Sequence, residues 1–402
     1  MESNLGLYIH IPFCEKKCAY CDFLSFPVSG SYILQQDSIS PDVVSQYVAA
    51  LIKEIRSYQT KEFESYKIGT IFMGGGTPSI LTGKEIESIF QPLRETFLIA
   101  EDAEISIEAN PGTVTEEKVK NWKDLGINRL SIGLQSANDD ELKILGRIHT
   151  FRQFQETYAM AREAGFHNIN VDLISGIPGQ TLNGFIKTLE KVGECNPEHI
   201  SAYSLIVEEE TPFGKLYGEK SMQEHIASRE ILPLPNEDVD WAMYQQTEAI
   251  LTSLGYQRYE ISNYAKAGFS CKHNIGYWER EEYLGIGLGA ASLLKDIRFR
   301  NVEEITTYLE RIRQSESVRA AADTEILSIK EQMDEFLFLG LRQIKGVSKS
   351  RFRHCFGKDM LAVYEKQLIK IKTAGLLVEE EDTVRLSKQG IDFSNQVFAE
   401  FI

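Results

Sequence analysis

The chain has 402 residues, 43% hydrophobic and 25% charged, which is enough for a large α/β domain plus a smaller one and excludes wholesale disorder. A formal net charge of −16, from 43 basic and 59 acidic residues, argues against a broad nucleic-acid-binding face while leaving room for a local basic patch. Only six cysteines occur and no stretch approaches 18 apolar residues, so the expectation is a cytoplasmic protein with reduced thiols and no integral membrane segment.

The first apolar run, "LGLYIHI" (5–11), leads into "PFCEKKCAYCDF", where Cys14, Cys18 and Cys21 are separated by three and then two residues. Residues 29–47 read as a loop leading into a helix. Further short β-rich runs follow at 68–73, 103–109, 128–134, 168–174 and 199–205. Stretches with helical periodicity lie between them at 83–97, 115–126 and 152–165. Gly126 and Gly165 suit the ends of two of these helices. Repeating β–α units predict a parallel sheet with both faces covered, open or closed into a barrel. Polar motifs sit just after the strands: the cysteines, "GGGTP", "EANPG", "LQS" and "DLISGIPGQT". Parallel α/β folds place their active sites there.

Residues 214–236 are polar and read as an insertion. "CKHNIGYW" (271–278) reads as a loop carrying an imidazole, His273, and two flat aromatic faces, Tyr277 and Trp278, a set able to ligate and stack on a porphyrin. "LGIGLGA" (284–290) fits the loose dinucleotide fingerprint at Gly285, Gly287 and Ala290. It comes late and opens no βαβ unit, so a close backbone approach is the better reading. From about residue 300 the pattern changes. Residues 324–346 read as helical, and "LIKIKTAGLLVEEEDTVRLSKQGIDF" reads as helix, strand, turn, strand, helix, the order of a winged-helix module. Acidic "EEED" (379–382) at the wing tip favours a packing or partner role over DNA binding.

Thiolates suit iron–sulfur clusters, zinc or copper. Three of them can hold a four-iron cubane with one iron open to a small molecule; the alternatives are zinc completed by a distant His and unrelated buried cysteines. "GGGTP" lets backbone approach a ligand, or forms a plain tight turn. Glu108, Gln135, Arg147 and Asp172 at strand ends suit ribose hydroxyls, adenine edges and carboxylates, or serve as structural salt-bridge and capping residues. His10 packs at its strand end, and a metal shared by Cys271 and His273 is disfavoured.

"YIHIPFCEKKCAYCDF" resembles the radical S-adenosylmethionine (SAM) enzymes, and within them the HemN/HemW group of oxygen-independent coproporphyrinogen III oxidases and haem chaperones. The likeness runs over nearly the whole chain. It implies a partial (β/α)6 TIM-like barrel over 1–300 and a C-terminal α+β winged-helix-like domain over 301–402. It also implies a [4Fe-4S] cluster on Cys14, Cys18 and Cys21 with one open iron. SAM contacts would fall at Tyr8, Gly75, Gly76, Thr77, Glu108, Gln135, Arg147 and Asp172. Haem would be cargo, with His273, Tyr277 and Trp278 as candidate contacts. Acceptor haemoproteins, an electron donor and a homodimer are the implied partners. Phe23 stands where the oxidases carry a further cysteine, the motif begins at residue 8 without a long extension, and HNxxYW is typical of the chaperones. Decarboxylation of coproporphyrinogen III is the alternative activity. RNA modification, the third reading, fits poorly with a charge of −16.

Overall fold

The computed structural model describes residues 3–28, 40–218, 231–314 and 321–402. Six strands form the frame: β1 (Ser3–Ile11), β2 (Tyr66–Gly75), β3 (Leu98–Ala109), β4 (Arg129–Gln135), β5 (Ile169–Ser175) and β6 (His199–Ser204). They lie side by side in chain order and pair in parallel throughout. A seventh strand, β7 (Tyr283–Ile286), joins in parallel on the other side of β1. This is the partial barrel with its parallel sheet that the repeating pattern and the resemblance implied.

The helices between strands form where the chain supplies both caps and an apolar face. Gly83–Thr96 begins with a capping box in which Thr82 and Glu85 satisfy each other's backbone groups, and Phe151–Glu163 begins the same way with Thr150 and Gln153. Gly126 and Gly165 follow the helices Glu116–Asp124 and Phe151–Glu163 with positive φ, as expected of C′ glycines. Ile86, Ile89, Phe90 and Leu93 show one such buried face.

The strands alternate. Leu130, Ile132 and Leu134 of β4, Val171 and Leu173 of β5, and Ile200 of β6 are fully buried in the main apolar core. Arg129, Ser131, Asn170, Asp172, Ser201 and Tyr203 are the intervening residues, and they line a chamber on the concave side. A strand's side chains change face at every residue, so this alternation makes the outer face oily and the lumen polar.

The "LGIGLGA" segment contains β7 and opens no βαβ unit; it is followed by antiparallel strands β8 (Ala291–Leu294), β9 (Ile297–Asn301) and β10 (Ala321–Ile326). The large sheet therefore continues past residue 300. Residues 324–326, expected to be helical, belong to β10 instead, because pairing with β9 decides the conformation of a polar segment with no apolar helical face. The helix begins at Ile329, capped by Ser328 and Glu331, and ends at Gly340. A second apolar core runs from Met333 to Phe401. We therefore place the division between the two parts near residue 327 rather than at 300/301. The C-terminal part has a three-stranded sheet, Val347–Ser348, Thr383–Leu386 and Leu377–Glu379 in spatial order, with Lys349–Phe356 and Glu365–Thr373 among its helices, the winged-helix-like arrangement expected. The expected insertion 214–236 includes residues 219–230, which lie outside the described residues, as do 29–39 of the loop 29–47; Pro41–Ser57 is the helix it leads into.

Candidate functional site

The three cysteines lie on the loop directly after β1, and all are free thiols. Cys14 is buried; Cys18 and Cys21 are partly exposed. The loop is tied down at its middle: Ala19 N–H donates to the Leu145 carbonyl (3.0 Å), and its carbonyl accepts from Phe213 N–H (2.9 Å). Its far end is held by His10, whose Nε2–H donates to the Leu24 carbonyl (2.8 Å) while Nδ1 accepts from the Tyr8 hydroxyl (2.9 Å). A carbonyl can only accept, which fixes the tautomer.

A chain of polar contacts links two of the sulfurs through the other strand-end motifs. Thr77 Oγ1 donates to Cys14 Sγ (3.4 Å), Asn110 Nδ2 donates to Thr77 Oγ1 (2.8 Å), Arg147 Nη2 donates to Asn110 Oδ1 (2.6 Å), and Arg147 Nη1 donates to Cys18 Sγ (3.5 Å). Arg147 also donates to the Gly133 carbonyl, and Gln135 reaches the same spot from a left-handed backbone position (φ 72°). Gly76 N–H and Thr77 N–H bond the carbonyls of Ile11 and Phe13, so "GGGTP" packs directly under the cysteine loop.

Burial raises the Cys14 thiol, and raises Cys21 to about 11, so both favour the protonated form unless a cation compensates. Two hydrogen-bond donors already aim at sulfur. Among the described residues no three His, Cys, Asp or Glu side chains converge on a point that one metal ion could fill. A cubane asks for something else: each thiolate binds a different iron, so the sulfurs stand apart. Three thiols within one loop are the donor set such a cluster takes, one thiolate to each of three irons.

Beneath the loop is the polar chamber, 210 Å³ in volume. Glu108 lines it and accepts from Gly75 N–H (3.1 Å). Burial, and then the neighbouring charge of Asp172, lift its carboxyl to about 8. Asp172 accepts from Ser131 (3.1 Å) and Asn170 (2.9 Å), yet burial still raises it. Arg129 is 2% exposed, and its Nε has no hydrogen-bond partner among the described residues. Tyr8 and Phe72 complete one wall.

The floor is the segment expected to be a loop. Lys272–Trp278 is a helix, held at its start by Glu104 of β3, which accepts from Lys272 N–H and His273 N–H (both 3.1 Å) and from the Cys271 thiol (3.6 Å). His273 is buried, its ring stacked on Phe72, with Nδ1 hydrogen-bonded to Thr70 Oγ1 (2.8 Å) and Nε2 to Tyr277 Oη (3.0 Å). Burial pulls its pKa down to about 3, so the imidazole is neutral. His273 and Tyr277 thus line the chamber with Tyr8, Glu108 and Asp172. Trp278 does not: it turns towards the C-terminal part, under the Arg342 guanidinium (4.5 Å from the ring centroid). The candidate SAM and haem contacts therefore do not form two separate sets. Tyr8, Glu108, Asp172, His273 and Tyr277 share one chamber, Gly75, Gly76, Thr77, Gln135 and Arg147 are not among its lining, and Trp278 faces the C-terminal part.

Comparison with known proteins agrees with this architecture. Residues 8–192 match the Radical SAM superfamily and 327–393 the HemN C-terminal domain. The heme chaperone HemW of Bacillus subtilis is 36% identical over 98% of this chain and 98% of its own length, and that of Lactococcus lactis is 35% identical over 98% and 96%. The chain belongs to the haem chaperone HemW family. The solved structure of the Escherichia coli coproporphyrinogen III oxidase HemN, a radical SAM enzyme, superposes with a TM-score of 0.82 at 25% identity, covering 100% of this chain and 90% of that one. In this HemW-family chain, sequence reasoning overlooked Arg129, Ser131, Asn170, Ser201, Tyr203, Glu104 and Asn110. A signal was present: strands covered on both faces usually read as continuous apolar runs, whereas β4–β6 are interrupted by Arg129, Ser131, Asn170, Asp172 and Ser201.

Proposed function

We propose that the protein is a haem chaperone of the radical SAM fold: it binds haem and passes it to acceptor haemoproteins while carrying a [4Fe-4S] cluster and SAM. The observation that carries this reading is the match, over nearly the full length of both chains, to relatives named heme chaperone. The cysteine loop supports the cofactor part. Cys14, Cys18 and Cys21 would hold the cluster, and the Thr77 and Arg147 donors would stabilise the charge on two of its thiolates. When bound, such a cluster offers an open iron that chelates SAM and an electron for its reductive cleavage.

The residues around it divide the work. Gly75 and Gly76 let the strand end lie tight against His10 and the Ile11–Phe13 backbone, which seats it under the cysteine loop, and Gln135, Arg147 and Thr77 present polar groups beside it. Glu108, which burial keeps protonated up to about pH 8 in the empty chamber, and Asp172 stand beside one arginine, and a sulfonium held there would draw Glu108 towards its charged form. His273 holds the Tyr277 hydroxyl in place as a neutral hydrogen-bond partner. Tyr8, fixed by His10, forms one side of the chamber.

The runner-up is coproporphyrinogen III decarboxylation, favoured by the structural likeness to HemN. The exposed Phe23 speaks against it, since it supplies no thiol where the oxidases have one. The test is anaerobic: reconstituted protein is titrated with haem by optical absorption, and separately incubated with coproporphyrinogen III and SAM. Stoichiometric haem binding without carbon dioxide release supports the chaperone. Carbon dioxide release without haem binding would establish the oxidase instead.

A further inference from the structure

Resting on the cluster part of the proposed function, we infer that Tyr47, seated on the turn 287–290, is a positioning residue for the cluster: it fixes His10, and His10 fixes the far end of the cysteine loop. The "LGIGLGA" segment supplies the turn. β7 runs parallel to β1 with Ile286 beside Ile9, so the chain leaves β7 next to the point where β1 passes into the cysteine loop. Gly287 (φ +102°) and Gly289 (φ +64°) then turn it back into β8.

The turn has no spare hydrogen-bond donors. Gly287 N–H donates to the buried Glu54 carboxyl (2.9 Å), Leu288 N–H to Tyr47 Oη (3.0 Å), Gly289 N–H to the Val302 carbonyl (2.9 Å) and Ala290 N–H to the Gly287 carbonyl (3.3 Å). A phosphate-binding glycine loop presents free N–H groups, whereas here the first is taken by an acid. Glu54 also accepts from Asn301 (2.7 Å) and Tyr308 (2.5 Å), and Asn301 donates to the Gly287 carbonyl (2.8 Å). The turn is thus bonded from the helix Pro41–Ser57, from β9 and from the helix Ile305–Gln314, which makes it a rigid support.

What it supports is the cysteine loop. Tyr47 is fully buried and its hydroxyl is shared between the two: it accepts from Leu288 N–H and donates to the His10 carbonyl (2.8 Å) at the end of β1. Phe13, the neighbour of Cys14, meets the Tyr47 ring edge-on with 5.2 Å between centroids. The His10 ring then donates to the Leu24 carbonyl, just beyond Cys21. Gly289 reaches the same place directly, since a Cβ on it would lie 2.4 Å from Leu24 Cδ2. Turn and tyrosine therefore grip the loop on both sides of the cysteines, before Cys14 and after Cys21. A cluster needs its three sulfurs at fixed separations, and the groups that orient metal ligands are typically worth about 10–100-fold in metal retention.

The test compares iron retention with folding in the full-length reconstituted protein. Tyr47→Phe keeps the ring and its Phe13 contact and removes only the shared hydroxyl. Tyr256→Phe is the control: it removes a buried hydroxyl that donates to the Pro197 carbonyl (2.6 Å), ahead of β6 and so at the opposite end of the barrel. Gly289→Ala pushes on Leu24, and Gly289→Ala/Leu24→Ala relieves that collision while keeping the backbone angle. Each protein is loaded anaerobically and exposed to an iron chelator. Cluster absorption and the electron paramagnetic resonance spectrum of the reduced cluster are followed, with thermal midpoints measured alongside.

Tyr47→Phe and Gly289→Ala are expected to release iron at least about tenfold faster than the parent, with altered resonance spectra. Tyr256→Phe is expected to keep the parental rate and spectrum although its thermal midpoint falls by as much as that of Tyr47→Phe, and the double variant to return towards the parent. Parental release rates in both Tyr47→Phe and Gly289→Ala would overturn the assignment. Equal acceleration in Tyr256→Phe would overturn it too, because the effect would then be general loosening. Where Tyr47→Phe does not fold, the Gly289→Ala pair decides alone, and no recovery in the double variant counts against the assignment. A parent protein that takes up no four-iron cluster is a different outcome: it removes the cofactor reading itself, and this inference with it.

Discussion

Replacing Glu108 with Gln is expected to stabilise the ligand-free protein at pH 9 and to leave it nearly unchanged at pH 4. The carboxyl faces the chamber beside Asp172, and burial with that neighbouring charge moves it from 4.5 to about 8. The folded protein therefore holds this proton more tightly than the unfolded chain does. That contribution is fully present below pH 4.5 and is lost as pH rises through 8. A displacement of about 3.5 pH units, at about 1.4 kcal/mol each, sets an upper value of about 5 kcal/mol. Chamber water and the unmatched amide donors of the Gln reduce the net gain to about 2–4 kcal/mol. Urea unfolding of the parent and Glu108→Gln at pH 5, 7 and 9 reads the difference directly, since groups shared by both proteins cancel. A gap that is the same at all three values, or that shrinks as pH rises, would refute the argument. The same linkage makes a cationic ligand beside Glu108 bind more tightly as pH rises from 6 to 9.

Three further outcomes follow from the site. Alanine at Cys14, Cys18 or Cys21 is expected to abolish the broad absorption of the reconstituted cluster; retention of that absorption in all three variants would remove the cluster assignment. Gly75→Ala is expected to destabilise the protein by at least about 2 kcal/mol, because φ of +108° already costs a side chain about 1–2 kcal/mol and the new Cβ would lie 2.3 Å from the His10 ring. Urea midpoints measure this, and His10→Ala in the same chain should recover part of the loss. Glu104→Ala leaves the Lys272 and His273 N–H groups without their acceptor and Arg129 without a neighbouring charge, at about 3–5 kcal/mol. An unchanged thermal midpoint in Glu104→Ala would show that the helix is not held from β3.

The barrel was legible in the sequence because each core strand is a β-rich run bounded by turn residues and each helix announces its caps, as Thr82 with Glu85 and Thr150 with Gln153 do. β10 was not legible. "AADTEI" is almost wholly exposed, and only its partner β9 makes it a strand. The cysteine loop and "GGGTP" were legible by spacing, since few chemistries need three thiols within eight residues. The chamber was missed because its lining comes from single polar residues inside apolar strands, which local pattern reading treats as interruptions. The HNxxYW helix was missed for a related reason: seven residues with one Gly carry little helical signal, and Glu104, distant in sequence, supplies the cap. Once that segment is a helix, about 100° per residue places Tyr277 beside His273 and turns Trp278 about 140° away.

Transfer is the central claim, and the most direct measurement loads the anaerobically reconstituted protein with one equivalent of haem and mixes it with an apo-haemoprotein. The account predicts that the acceptor's absorption spectrum grows in as the chaperone-bound haem spectrum disappears, with the reconstituted protein recovered haem-free. Haem that stays on the protein in the presence of excess apo-acceptor, with the cluster intact, would contradict it.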